Sequence, residues 1–321
     1  MPLSINALMR HLRKPPISMR VNGSRQKRDL RNIGYYHGYK GYRFIHRSNE
    51  RIALDDFDQL KRIYDFDMSL KTLIYPQIMF VETALKNRVL EATLEDAKSE
   101  VFEVIFTTSM TAYREKQGKQ YREALQKRFR ARDEINAIIY SNCKNSGDPV
   151  IWHFLEQGRR VPIWAIFEEL TLGQFGNFYL TLKSSIKQSV ADGLSFPKAC
   201  EGGKILGSII FTLKDLRNAV AHNKPVFDLR FKTEAPGKPL ERCMEIGTGV
   251  DGITFGTITD YIILIAYMMR SLGSSKTDCK RFLNAYLHLI ESGWISLPDN
   301  LAVRIAGSDV RRKISRMTVS L

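Results

Sequence analysis

Between Leu206 and Val220, apolar residues recur at spacings of three and four: Leu206, Ile209, Ile210, Leu213, Leu216 and Val220. Such spacing predicts a helix with one buried stripe, which must lie against a core. Three polar side chains ride on its end, Arg217, Asn218 and His222, and Pro225 then stops it because proline has no N–H to donate. Asn218 and His222 are four apart and share a face. Arg217 lies five before His222, roughly 140° round an ideal helix at about 100° per residue. It approaches the histidine through its long side chain, or where the last turn departs from ideal geometry. Ala219 and Ala221 keep the surface low enough for another helix to come close. A histidine in a last turn also complements the helix dipole, and an arginine there is commonly solvated. Spacing alone leaves both readings open.

At 321 residues, with 44% hydrophobic residues and three tryptophans, the chain can build one large core or two smaller ones. Its four cysteines (Cys143, Cys200, Cys243, Cys279) are far apart, with no Cys-x-x-Cys pair. That argues against a zinc ribbon or a disulfide framework and fits a reducing cytoplasm. The six histidines form no ligand-spaced cluster with acids, so neither a metal nor a cofactor is expected. Met1–Pro15 lacks the continuous apolar core of a secretory leader. The most apolar run, Tyr261–Met269, is nine residues. A membrane span needs about 20, so a soluble protein is expected.

The net charge of +15 is unevenly spread. Residues 1–51 carry twelve Lys and Arg against Asp29 and Glu50, a net of +10. The tail from Arg304 adds five basic residues against Asp309. Basic clusters gather polyanions and give salt-dependent affinity for phosphate backbones, although basic termini are also found as solvated tails. Here Arg25, Lys27, Arg28, Arg31, Lys40 and Arg43 are interleaved with Tyr35, Tyr36, Tyr39, Tyr42 and Phe44. Cations beside aromatics suit phosphate contact together with base stacking, as on single-stranded or looped RNA.

Read in order, residues 2–12 predict a short amphipathic helix broken by Pro15 and Pro16, and Ile17–Arg28 reads as a basic loop. Gly34, Gly38 and Gly41 argue for an irregular, tyrosine-rich turn. Asp55 and Asp56 offer an N-cap to a helix through Phe57, Leu60 and Tyr64, with Pro76 expected to kink or restart it. A second helix through Ile78, Val81, Leu85 and Val89 carries Glu82. Asp65, Asp67 and Glu82 suit solvent or ion-pair positions in a bundle. Residues 95–120 are weakly patterned and read as an insertion or mobile connector. A charged helix is predicted at 121–142, with Lys127, Arg128, Arg130 and Arg132 outward. Trp164, Phe167 and Leu170 have helical spacing, with Gly173 as a C′ residue and Thr171 and Gln174 as polar site residues or caps. A helix at 177–190 and a loop near 196–203 lead to the stretch described first. Leu240–Gly256, with Gly247, Gly249 and Gly252, reads as a small hairpin. Helices at 257–272 and 277–292 follow, and 297–321 reads as a partly disordered tail.

Several of these segments resemble one known family. Arg217-Asn218-x-x-x-His222 is similar to the motif of the HEPN superfamily, an arginine, four to six residues, then a histidine. Ile33-Gly34-Tyr35-Tyr36-His37 resembles an element near the start of the bacterial abortive-infection Abi proteins of the AbiD and AbiF type, with His37 where arginine is common. Leu60–Leu70 resembles that family's "LY-x-FD-x-x-LR" helix, and Glu82 its recurring acid. Pro162–Tyr179 looks like its "P-x-W-x-x-x-E-x-LTFG" segment. The likeness covers about residues 29–230.

The resemblance implies an all-α, HEPN-type helical bundle acting as an anti-phage endoribonuclease toxin. Such enzymes cut RNA without a metal, by attack of the 2′-OH, leaving 2′,3′-cyclic phosphate and 5′-OH ends. It gives Arg217, Asn218 and His222 the catalytic roles, and a homodimer with a composite site as the way to supply two histidines. It makes a structured non-coding RNA a partner or restraint. Arg25, Lys27, Arg28, Arg31, Tyr35, Tyr36, Lys40, Arg43 and Lys224 are the expected RNA contacts. Lys224 stands where toxins of a related kind carry a modified tyrosine, so that control is not expected. The organisation expected is a basic N-terminal region (1–54), a helical core (55–230) and a C-terminal extension (231–321) with a hairpin and helices. The alternative is a non-cleaving RNA-binding protein of the same superfamily, acting as a ribonucleoprotein scaffold.

Overall fold

The computed structural model describes residues 4–145, 147–298 and 300–321. Two short helices open the chain, α1 (Ile5–Arg13) and α2 (Gly23–Ile33). The second runs into a π-helical segment at Gly34–Lys40, then a small antiparallel ladder of β1 (Phe44–Ile45) and β2 (Arg47–Arg51). The expected basic loop at 17–28 is therefore corrected over its second half, which is helical from Gly23. Leu30 and Ile33 are buried one turn apart and give α2 an apolar edge.

Helix α3 (Phe57–Ala97) is the axis of the molecule, 41 residues and about 60 Å long. A capping box starts it: Asp56 accepts from the Gln59 N–H at 2.9 Å, and the Gln59 side chain reaches back to the backbone of Asp55 and Asp56. Leu60, Ile63, Leu70, Ile74, Ile78, Val81, Leu85 and Val89 are all fully buried along it. The restart expected at Pro76 does not occur: one helix continues through the proline. Proline costs one intrahelical hydrogen bond, but Ile74 and Ile78 on either side are locked in the core and hold the register.

After α3 come α4 (Phe102–Thr108), a 3₁₀ turn (Ala112–Glu115), α5 (Gly118–Asn145), α6 (Pro149–Glu156), α7 (Ile163–Glu169), α8 (Leu172–Thr181), α9 (Ser184–Gly193) and α10 (Gly202–Ala221). The segment read as a mobile connector is thus structured, pinned by buried Phe102, Ile105 and Met110. Gly173 is not a C′ residue. Thr171 and Gln174 form a second capping box, and Gly173 sits in the first turn of α8. Helix α10 packs on α3, flanked by α8 and α9, while α5 covers α8.

The hairpin expected at 240–256 is corrected to a helix and a loop. α11 (Lys238–Thr248) buries Leu240, Cys243 and Met244 at helical spacing and ends at Gly249, left-handed at φ 66°. Gly247 lies inside it because Tyr267 leaves no room: an added Cβ would meet that ring at 3.0 Å. Helices α12 (Ile258–Ser271) and α13 (Lys276–Ser296) both lie against α3. The tail is ordered as α14 (Leu301–Ala306) and α15 (Val310–Ser320), with Val310, Ile314 and Met317 buried. The protein is therefore all-α apart from the short β1–β2 ladder. Buried side chains from Met9 to Leu321 join one contiguous core.

Docking of α15 rests partly on Lys313, whose buried amine donates to Asp260 at 2.7 Å and to the Gly252 carbonyl at 2.7 Å. Removing one partner of a buried pair strands the other charge, at about 3–5 kcal/mol. Lys313→Ala is expected to lower stability by that amount in urea unfolding. An unchanged midpoint would show that α15 is not docked.

Candidate functional site

The end of α10 is a Schellman motif. The Lys224 N–H donates to the Ala219 carbonyl at 2.8 Å and the Asn223 N–H to that of Val220 at 3.1 Å. Asn223 is left-handed at φ 52°, a conformation asparagine tolerates better than most residues. The helix thus ends before Pro225, which corrects the expectation that the proline stops it. His222 is the C-cap residue and is exposed. Ala221 and Lys224 beside it are exposed as well.

Arg217 points from α10 toward α3. Its Nε donates to Glu82 Oε2 at 2.9 Å and its Nη1 to Asn218 Oδ1 at 3.4 Å. Glu82 is only 4% exposed and also pairs with Lys86 at 3.3 Å. Lys86 in turn donates to the Leu170 carbonyl at 2.6 Å, which ties α3 to the start of α8. One buried carboxylate therefore orients two cations. Of the five guanidinium N–H groups, Arg217 spends two on these bonds.

About four turns earlier on α3, a second buried acid holds the chain that follows the helix. Asp67 is fully buried. Its Oδ1 accepts from the Val226 and Phe227 N–H groups, each at 2.9 Å, and its Oδ2 from Tyr42 at 2.7 Å and Lys71 at 2.8 Å. Lys71 also donates to Tyr42 Oη at 3.2 Å and to Asn223 Oδ1 at 2.8 Å. Burial, then the Asp67 charge beside it, pushes the Tyr42 phenol far above its ordinary value, so it is a fixed donor. The Tyr42 ring stacks on Phe227 with centroids 5.7 Å apart. Asp67 and Glu82 are thus buried ion-pair residues, whereas Asp65 is exposed and pairs with Lys61 at 2.6 Å.

Apart from Lys224, exposed beside His222, the expected RNA-contacting residues divide into two groups. Tyr35, Tyr36, Lys40 and Arg43 lie on or just after the π-helical segment, which reaches the end of α10. Arg230 there donates to the Gly41 carbonyl, and His37 meets Asn223. Tyr35 is engaged: it stacks on Tyr39 at 5.4 Å and contacts His11 Nε2 at 3.1 Å. Lys40 lies over the Tyr35 ring, and Arg43 over Tyr39 and Phe44. Tyr36, 81% exposed, meets the Tyr35 ring edge-to-face with centroids 5.4 Å apart. Arg25, Lys27, Arg28 and Arg31 sit instead on α2, where Arg25 pairs with Asp58 in the first turn of α3. Asp58 is thirteen residues before Lys71, about 20 Å along the helix. Arg25 is thereby placed away from the Lys71–Asn223 contact.

Sequence reasoning missed Lys71, Lys86 and Asn223, and it read Tyr42 only as one of the aromatics among the basic residues. The local signal for the two lysines was present, since Asp67–Lys71 and Glu82–Lys86 are both i,i+4 pairs. A cavity of about 740 Å³ lined by Lys116, Lys127, Lys187, Lys198 and Lys204 lies near the other end of α10, where burial pushes the Lys187 amine down to about 8. Lys204 is eighteen residues from His222, about 27 Å along the helix, so that cavity is separate from the site.

Residues 28–228 match the family model described as Abi-like protein, a span that takes in the π-helical segment, α3 and all of α10. No curated protein and no solved structure shows significant similarity to the chain.

Asp67→Ala would leave Lys71 unpaired in the core and two backbone N–H groups without an acceptor. A loss of about 3–5 kcal/mol is expected in urea unfolding. A loss well under 1 kcal/mol would mean that this network does not hold the 226–227 segment.

Proposed function

The chain belongs to the Abi-like family, whose name ties it to abortive infection, and from that premise we propose that it is an anti-phage endoribonuclease toxin of HEPN type. The RNA 2′-OH attacks the adjacent phosphorus, the bond to the 5′-oxygen breaks, and the products carry a 2′,3′-cyclic phosphate and a 5′-OH. His222 moves a proton at the 2′-OH or the leaving 5′-oxygen, the general acid–base role that an imidazole most often fills. Arg217 holds the phosphate and the charge developing on it, and Asn218 orients the guanidinium. A second copy facing the first supplies the other imidazole.

The observation that carries this reading is the end of α10. There Arg217, fixed on buried Glu82 with N–H groups to spare, shares one helix end with exposed His222 and Lys224. The basic N-terminal region beside it suits a structured RNA as partner. One feature favours a second reading, an RNA-binding protein that does not cut. A guanidinium bound to a buried carboxylate also serves the fold, and Arg217 does so here.

Cleavage of a mixed RNA pool in EDTA separates the two. Wild type is expected to cut and leave cyclic phosphate ends, and His222→Ala to lose about 10²–10⁴-fold, the range of general acid–base catalysis. Equal cleavage by both proteins, or dependence on magnesium, overturns the mechanism, and binding without cleavage selects the second reading. Replacing Arg25, Lys27, Arg28 and Arg31 together by Ala is expected to weaken RNA binding and flatten its salt slope. An unchanged slope would make α2 a solvated surface.

A further inference from the structure

Asn223, the residue that turns the chain out of α10 just after His222, has both ends of its side chain held. Its Oδ1 accepts from Lys71 Nζ at 2.8 Å. An ammonium has only donors, so this contact fixes which way the amide points. The Nδ2 end is left facing His37 Nε2 at 3.3 Å. An amide nitrogen donates, so Nε2 must accept and the His37 proton must sit on Nδ1. The order Asp67, Lys71, Asn223, His37 therefore dictates one protonation state of one ring. That ring is placed edge-on to Tyr42 and Tyr64, with centroids 6.1 and 6.0 Å away.

We propose that His37 is a positioning residue for His222: as a neutral imidazole it completes the hold on Asn223, and so fixes the turn that presents His222 to substrate. The proposal rests on the ribonuclease reading above and adds a requirement to it. Protonated His37 would present an N–H to the Asn223 amide N–H. Asn223 cannot answer by flipping, because that would turn its nitrogen toward Lys71.

The groups facing His37 are Tyr64, Asp67 and Lys71 from α3, Tyr42 from the segment before β1, and Asn223 from the end of α10. Although His37 is exposed overall, partial desolvation first, and then the Lys71 charge, hold the imidazole below its ordinary value of 6.5, with Asp67 acting against them. The sign follows from the lowered value: the hold is complete above pH 6.5 and is lost as pH falls through the folded-state pKa of His37.

Two measurements test this. Long-range ¹H–¹⁵N NMR of the imidazoles is expected to show His37 at pH 8 with Nδ1 protonated and Nε2 bare, and the Nε2–H tautomer would overturn the geometry. In RNA cleavage at pH 8, His37→Ala is expected to lower kcat about tenfold with KM unchanged, the effect of losing one positioning hydrogen bond. His37→Gln, which keeps an acceptor but does not titrate, is expected to stay within about twofold and to remain active at lower pH than wild type. If both variants match wild type in kcat and pH profile while His222→Ala is inactive, the positioning role falls and the ribonuclease reading stands. If wild type itself cuts no RNA, both fall.

Discussion

The buried Asp67–Lys71 pair is the contact on which the rest of this architecture turns. A carboxylate taken fully out of water is tolerated only where its lone pairs are satisfied and its charge is matched. Asp67 meets that condition with groups from widely separated parts of the chain: Tyr42, Lys71 and the backbone at Val226 and Phe227. Because the acid cannot be left unpaired, those segments must converge. The aromatic N-terminal region is thereby placed against the chain that leaves α10, and Tyr42 on Phe227 fills the space between them.

Glu82 repeats the arrangement on the same helix. It sits fifteen residues after Asp67, about 22 Å along α3, and faces the last turns of α10 rather than the loop beyond. Between them the two acids fix Arg217 from one side and, through Lys71, Asn223 from the other. What lies between these anchors, His222, is exposed at a helix end whose backbone is closed by its own Schellman bonds. An exposed imidazole on a rigid support is the arrangement that the proposed role of His222 requires.

A C-capping motif and two long-range networks thus do what proline seemed to do on sequence grounds. Pro225 still has a place, since it packs near Gly41 where the π-helical segment passes. It follows the turn instead of making it. The same shift of cause is seen at Pro76, where core burial overrides a local breaker, and at Gly247, where a crowded helix contact looks in sequence like a hairpin residue.

Local periodicity determined a good deal of this protein from its sequence alone. The apolar stripe of α10, the Asp56 cap of α3, the buried run of α12 and the helical class all follow from spacing that acts over a few residues. That Arg217, Asn218 and His222 share one helix end follows for the same reason, since they are close together in sequence. What spacing misjudged were places where packing outweighs a local signal, as in α11, where buried Leu240, Cys243 and Met244 outvote three nearby glycines. Only the tertiary structure decided that Glu82 grips Arg217 across 135 residues, that Asp67 reaches Val226 across 159, and that His37 meets Asn223 across 186. No periodicity encodes such pairings, because they arise where a buried charge is met by groups from distant segments of the chain.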